Sequence, residues 1–135
     1  MAIKLSTTVR NAKLDAIETA IGASAVMKIR TGTVPTNIGD ADAGTVLATI
    51  NLPADWMNAA ASGQKTLNGT WSDTNADATG TAGHFRIYAS DGTTQHMQGT
   101  VTATGGGGDL TLNNTSITSG GTVTITSFTW TEGNA

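Results

Sequence analysis

From residue 25 onward, side chains alternate with a period of two in short runs, and glycine or proline stops almost every run. That pattern restricts the chain to a mainly β fold. "TVLATINL" (45–52) is the clearest case: Val46, Ala48, Ile50 and Leu52 fall on one face, and Thr45, Leu47, Thr49 and Asn51 on the other. "AVMKIRTG" (25–32) sets Met27 and Ile29 against Lys28 and Arg30. "QKTLNGTW" (64–71), a hairpin across 83–103, "LTLNN" (110–114) and "TVTITSFTWT" (122–131) supply further strands. Their polarity comes from 26 threonines rather than from charge, and 17 glycines supply turns. Threonine fits a pleated, half-buried surface. About seven to eight strands at this spacing suit a sandwich or barrel. In the last run Val123 and Ile125 share one parity while Phe128 and Trp130 share the other. A β-bulge at Thr126–Ser127 accounts for the slip, as does a strand buried on both faces.

One segment breaks the period. "STTVRNAKLDAIETAIG" (6–22) carries Leu14, Ile17 and Ile21 at helical spacing, with Arg10, Lys13, Asp15 and Glu18 opposite. Ser6, Thr7 or Thr8 can cap its start and Gly22 its end. "PADWMNAAASG" (53–63) is expected to form a short helical turn with Pro53 first, and "GGGGD" (105–109) a flexible connector. At 135 residues the chain is expected to be one domain, with a helix over 6–22 and a β-sandwich over 25–131.

Charge narrows the function classes. Seven Lys and Arg against ten Asp and Glu give a net charge of −3, which offers no basic patch for nucleic acid. No apolar run approaches the roughly 18 residues a membrane span needs, and "MAIKLSTTVRN" lacks the apolar core of a secretory signal. Synthesis in a cytoplasm is the expectation. Cysteine is absent, so no disulfide braces the fold. A surface of Thr, Ser, Gly and Ala with few charges suits close approach by another protein, though a small uncharged β domain reads the same way.

The chemically richest stretch is "HFRIYASDGTTQHMQGTV" (84–101), which holds both histidines and the only tyrosine. A three-residue loop Ser90–Asp91–Gly92 pairs Phe85 with Met97 and Ile87 with Gln95; a longer loop of the same parity gives the same faces. Phe85, Ile87, Met97 and Val101 then form an apolar face, each large side chain worth roughly 1.5–3 kcal/mol on burial. His84, Arg86, Tyr88, His96 and Gln98 share the opposite face. Two histidines without cysteine or a nearby carboxylate fall short of the three or four ligands of a zinc site, and no nucleophile with an orienting carboxylate is placed beside them. The face reads either as a wet strand surface or as a protein-contact surface, since Arg and Tyr are enriched where partners bury area. No catalytic, metal-binding or cofactor-binding residue is assigned.

The remaining signals are weak. "DADAG" and "DTNAD" miss the spacing of a calcium loop and read as turns. "GGGGD" lacks the Lys-Ser/Thr that ends a phosphate loop. Trp56, Trp71 and Trp130 could make a sugar platform but more commonly belong to a core.

"MAIKLSTTVRNAKLDAIETAIG" followed by "MKIRTGTVPTNI" and "GTVLATINL", then "TGTAGHFRIYASDGTTQHMQGTVT" and "GGDLTLNNTSITSGGTVTITSFTWT", resembles a family of small virion proteins of tailed phages and prophages. The resemblance runs nearly end to end. Arg30 departs from the aromatic that such proteins commonly carry there. The resemblance implies a capsid cement, or decoration, protein: a jelly-roll-like antiparallel sandwich on the outer surface of the head. Its implied partners are the major capsid protein and itself, a dimer being favoured over a trimer. It implies no enzyme activity, cofactor, nucleic acid or membrane. The alternative role is a carbohydrate-binding or tail- or baseplate-associated module of the virion.

Overall fold

The computed structural model describes residues 3–134. Helix α1 (Thr7–Ile21) has the caps its sequence offers: Ser6 Oγ accepts from Val9 N at 3.3 Å, and Gly22, at φ 95°, donates its N–H to Glu18 O. Ten strands follow: β1 (Val26–Thr31), β2 (Val46–Asn51), β3 (Gln64–Thr66), β4 (Trp71–Asp73), β5 (Gly80–Tyr88), β6 (Gln95–Ala103), β7 (Leu110–Leu112), β8 (Ser116–Ile117), β9 (Val123–Ile125) and β10 (Thr129–Thr131). The expected mainly β, sandwich-like architecture with one leading helix is what the chain forms. Ten strands rather than seven or eight arise because two expected runs, 64–71 and 122–131, each break in two and β8 forms between the runs at 110–114 and 122–131.

The first layer is a curled six-stranded sheet in the order β2-β1-β5-β6-β7, with β8 added to the start of β5. The second is a broken antiparallel ribbon: β3 pairs with β10 and β4 with β9. The ribbon is interrupted at the same height on both sides. Gly69 sits at φ 73°, separating β3 from β4, and Thr126–Phe128 separate β9 from β10. The parity slip in "TVTITSFTWT" is therefore neither a bulge within one strand nor burial on both faces; the strand ends and changes partner.

The core lies between the layers. Met27, Ile29, Ile50, Phe85, Ile87 and Val101 of the sheet meet Trp56, Trp71, Ile125 and Phe128. The aromatics form one tilted and edge-on cluster, with ring centroids 5.4 Å apart for Trp71 and Phe128 and 5.8 Å for Phe85 and Phe128. Trp56 and Trp71 are wholly buried and Trp130 is half-buried, as a core assignment expects.

Two connections differ from expectation. Residues 53–63 are irregular instead of helical. Their backbone N–H groups are taken by the polar face of α1: Met57 N donates to Glu18 Oε1, Ala60 N to Asp15 Oδ1 and Gly63 N to Asn11 Oδ1, at 3.1, 2.9 and 2.8 Å. Side chains one helical turn apart thus supply the acceptors that a helix would otherwise have supplied internally. Likewise "GGGGD" is a compact return loop. It turns the chain back so that β7 runs parallel to β6, the one parallel pair among the described residues. A Cβ on Gly106 or Gly108 would lie 2.7 or 2.9 Å from Thr102 atoms, so only glycine permits so tight a return.

Candidate functional site

The hairpin register keeps the expected parity with a longer loop. Phe85 pairs with Gly99, Arg86 with Gln98 and Ile87 with Met97. The register shifts between Ile87 and Tyr88, so Tyr88 pairs with Gln95 and His96 is the extra residue of the bulge. Asp91 shapes the turn, accepting from Thr93 N and Thr94 N at 2.8 and 2.9 Å and from the Thr94 hydroxyl. That hydroxyl, with the two backbone donors, holds the Asp91 carboxyl well below the usual carboxylate range.

Phe85, Ile87, Met97 and Val101 do share the core-facing side. The opposite side is not wet. β1 lies beside β5 and aligns Lys28 with Arg86 and Arg30 with His84. Residues 32–45 then fold over this cationic surface. His84, Arg86 and Tyr88 are fully buried, Arg30 is nearly so, Gln98 is half-buried and only His96 stays exposed. The surface expected to meet a partner, or water, is covered by the chain's own loop.

Asp42 is the hub of this cluster. Its Oδ1 accepts from Arg86 Nη1 at 2.8 Å and from the Tyr88 hydroxyl at 2.7 Å, and its Oδ2 accepts from Arg30 Nη2 at 2.7 Å. The backbone of the loop takes further donors: Arg86 Nη1 reaches Asp40 O at 2.9 Å and Arg30 Nη1 reaches Gly44 O at 3.4 Å, while Arg30 Nε is buried without a partner. Gln98 links both, with Oε1 accepting from Arg86 Nε at 3.1 Å and Nε2 donating to Pro35 O at 2.6 Å. Lys28 closes the edge, its Nζ 4.8 Å from the Tyr88 ring centre and 2.8 Å from Gly92 O. Burial works against the charged form of Asp42. The hydrogen bonds from Tyr88 and Arg86 and the charge of Arg30 outweigh it, holding the carboxyl below its ordinary value. Burial first, and the Asp42 hydrogen bond second, push the Tyr88 phenol up.

His84 Nδ1 lies 3.0 Å from Gly32 O, and because a carbonyl only accepts, Nδ1 carries the proton. Its Nε2 is buried without a partner. His84 and His96 therefore do not converge: one is interior and tied to the backbone, the other exposed at a bulge. Among the described residues, no three His, Cys, Asp or Glu side chains are grouped so as to hold a metal.

A second ionic cluster escaped the sequence reading. Lys65, 2% exposed, donates to Asp15 Oδ1 at 2.7 Å, Glu18 Oε2 at 2.8 Å and Asn58 O at 3.0 Å. It clamps α1 onto β3. Burial opposes its charge, yet the two carboxylates raise its pKa above the ordinary lysine value. The available sequence signal was parity alone: Lys65 lies on the same parity as Leu67 and Trp71, which face the core.

Both clusters are structural in geometry. Apart from Arg30 Nε and His84 Nε2, which are buried without partners, their donors are used on the chain itself; Asp15, Glu18 and Lys65 line a surface cavity with Trp56 and Met57, where the lysine is held by both carboxylates. No protein-family model matches the chain, and neither the curated proteins nor the solved structures contain a match.

Proposed function

We propose that this chain is a non-enzymatic structural protein of a tailed-phage virion, a cement protein made in the host cytoplasm that sits on the outer surface of the head and bridges major capsid protein subunits. It acts as a homo-oligomer, a dimer before a trimer. The observation that carries the reading beyond the sequence resemblance is where the charge goes. Of seven basic side chains, Arg10, Lys13, Lys28, Arg30, Lys65 and Arg86 all bond within the chain. What faces outward is a threonine-, serine- and glycine-rich surface on which most of the exposed charge is carboxylate, including Asp55, Asp77, Asp91 and Asp109, so few free cations need desolvating on contact with protein. Many copies, each bridging two capsomers, reinforce a shell through effective concentration although each contact is modest.

The glycan-binding alternative loses two supports. Trp56 and Trp71 lie inside the aromatic core, and the His84–Tyr88 side is roofed by the loop. A tail or baseplate position remains the rival location. Cryo-EM of the intact particle, with copy number relative to the major capsid protein, tests the reading. The expected result is density on the outer head surface and greater resistance of decorated heads to heat or pressure. Purified protein that never binds heads, together with equally robust particles lacking it, refutes the proposal.

A further inference from the structure

Between β6 and β10 lies a groove of about 430 Å³ whose floor is apolar: Phe85, Met97, Phe128 and Trp130 line it. Both flanking strands present open backbone to it. On β10, Leu67 N donates to Phe128 O and Glu132 N to Gly63 O, on either side of the Trp130–Lys65 pair. Bonded pairs alternate along an antiparallel ladder, so the N–H and C=O of Thr129 and Thr131 point away from β3. Among the described residues, strand β10 has no second neighbour. On β6, Thr100 N points away from β5 and donates to Asp109 Oδ2 at 2.8 Å. Gln98, two residues earlier, faces the same way, and β7 covers only Val101–Ala103. Such a slot, with an apolar floor and unpaired strand edges, accepts an extended segment by strand addition.

The chain itself carries such a segment. Residues 3–5 are neither helix nor strand, and Ile3 is 82% exposed, the most exposed large apolar side chain among the described residues. Val9, on the first turn of α1, is also exposed, so apolar surface gathers at this end. Lys4 is the one basic side chain without an internal partner among the described residues. The rim of the groove carries the exposed carboxylate of Asp109, which among the described residues accepts only from Thr100. The charges are complementary. Leu5 is tied to Asn134 by two hydrogen bonds of 2.8 and 3.1 Å, which fixes the root of the arm beside the end of β10.

We infer that two copies of this chain pair by exchanging these arms: with Leu5 tied to its own Asn134, Ile3 and Lys4 of each extend along β10 of the other, seating Ile3 in the groove with Lys4 near Asp109. Ile3 lies only about 7 Å of extended chain from Leu5. The two-fold axis therefore passes close to Asn134 and the end of β10, and the interface is isologous. The inference deepens the self-association part of the proposed function and does not depend on head binding.

Because the chain has no cysteine, disulfide trapping is clean. The full-length double variant Ile3→Cys with Met97→Cys, whose side chain lines the groove, should on mild oxidation give a disulfide-linked dimer much faster than either single variant. An intramolecular link, or no enhancement, overturns the inference. In sedimentation the parent should be a dimer. Ile3→Asp should weaken association by about tenfold or more, the loss of a buried aliphatic side chain. Ile3 is exposed in the monomer, so a folded Ile3→Asp variant is expected. Thr131→Pro, which deletes an outward N–H that an edge strand can spare, should weaken it too. A parent that sediments as a monomer refutes the exchange. Head binding by such a monomer would leave the cement reading standing, whereas arm-dependent dimers that ignore heads would remove that reading and keep this one.

Discussion

Replacing Asp42 by asparagine tests the buried cluster most directly. The substitution keeps the size of the side chain and removes the only carboxylate bonded to Arg30 and Arg86 among the described residues. Arg86 is fully buried and Arg30 is 7% exposed, so two guanidinium groups lose their counter-ion in the interior. Breaking a buried pair from one side costs about 3–5 kcal/mol. Asp42 itself is 36% exposed, and water screens part of that loss. About 2–4 kcal/mol is the expectation. For 135 residues, an unfolding entropy near 2.1 cal/mol/K per residue turns this into a fall of roughly 7–14 °C in Tm. Urea and thermal unfolding followed by tryptophan fluorescence measure it, since Trp71 and Trp56 sit in the core. The pH dependence gives an independent check. The folded-state pKa of Asp42 lies below its ordinary value of 3.8. The unfolded chain therefore binds this proton first as pH falls, and stability is present above about pH 3.8 and lost as pH drops through the folded value. Asp42→Asn should lack that part of the acid loss. A variant within about 0.5 kcal/mol of the parent, with the same acid limb, would falsify the claim that this carboxylate holds the loop.

Three further outcomes follow from other contacts. Lys65→Met keeps the buried stem and deletes the charge, which should cost about 1–3 kcal/mol in urea unfolding. Lys65 has a raised pKa, so its contribution is full below about pH 10.5 and disappears as pH climbs through the folded value; the parent should lose stability there faster than the variant. Gly83→Ala sets a Cβ 2.2 Å from Gly32 O, a backbone clash that should unfold or strongly destabilise the chain, while Gly39→Ala meets nothing within 4 Å and should lie within about 0.5 kcal/mol of the parent by the same thermal melt. Phe128→Ala removes the ring shared by Trp71, Phe85 and Trp130 and should cost about 3–5 kcal/mol in urea unfolding; a loss under 1 kcal/mol would mean the two layers do not meet at this residue.

Local chemistry settled what is local. Ser6 and Gly22 mark the ends of α1 because caps act within three or four residues. The two-residue period placed Phe85, Ile87, Met97 and Val101 on one face whatever the loop length, because parity survives an even shift of register. Scarcity of other large side chains put Trp56 and Trp71 inside. The tertiary structure alone decided which polar residues are wet. Arg86 reads as a surface residue because its counter-ion, Asp42, lies 44 positions away in a loop that turns back over the sheet. Loop placement also decided that "TVTITSFTWT" divides between two partners and that four glycines fold back tightly to make β7 parallel to β6. Alternation encodes which side chains share a face, and it carries no information about what comes to lie on that face.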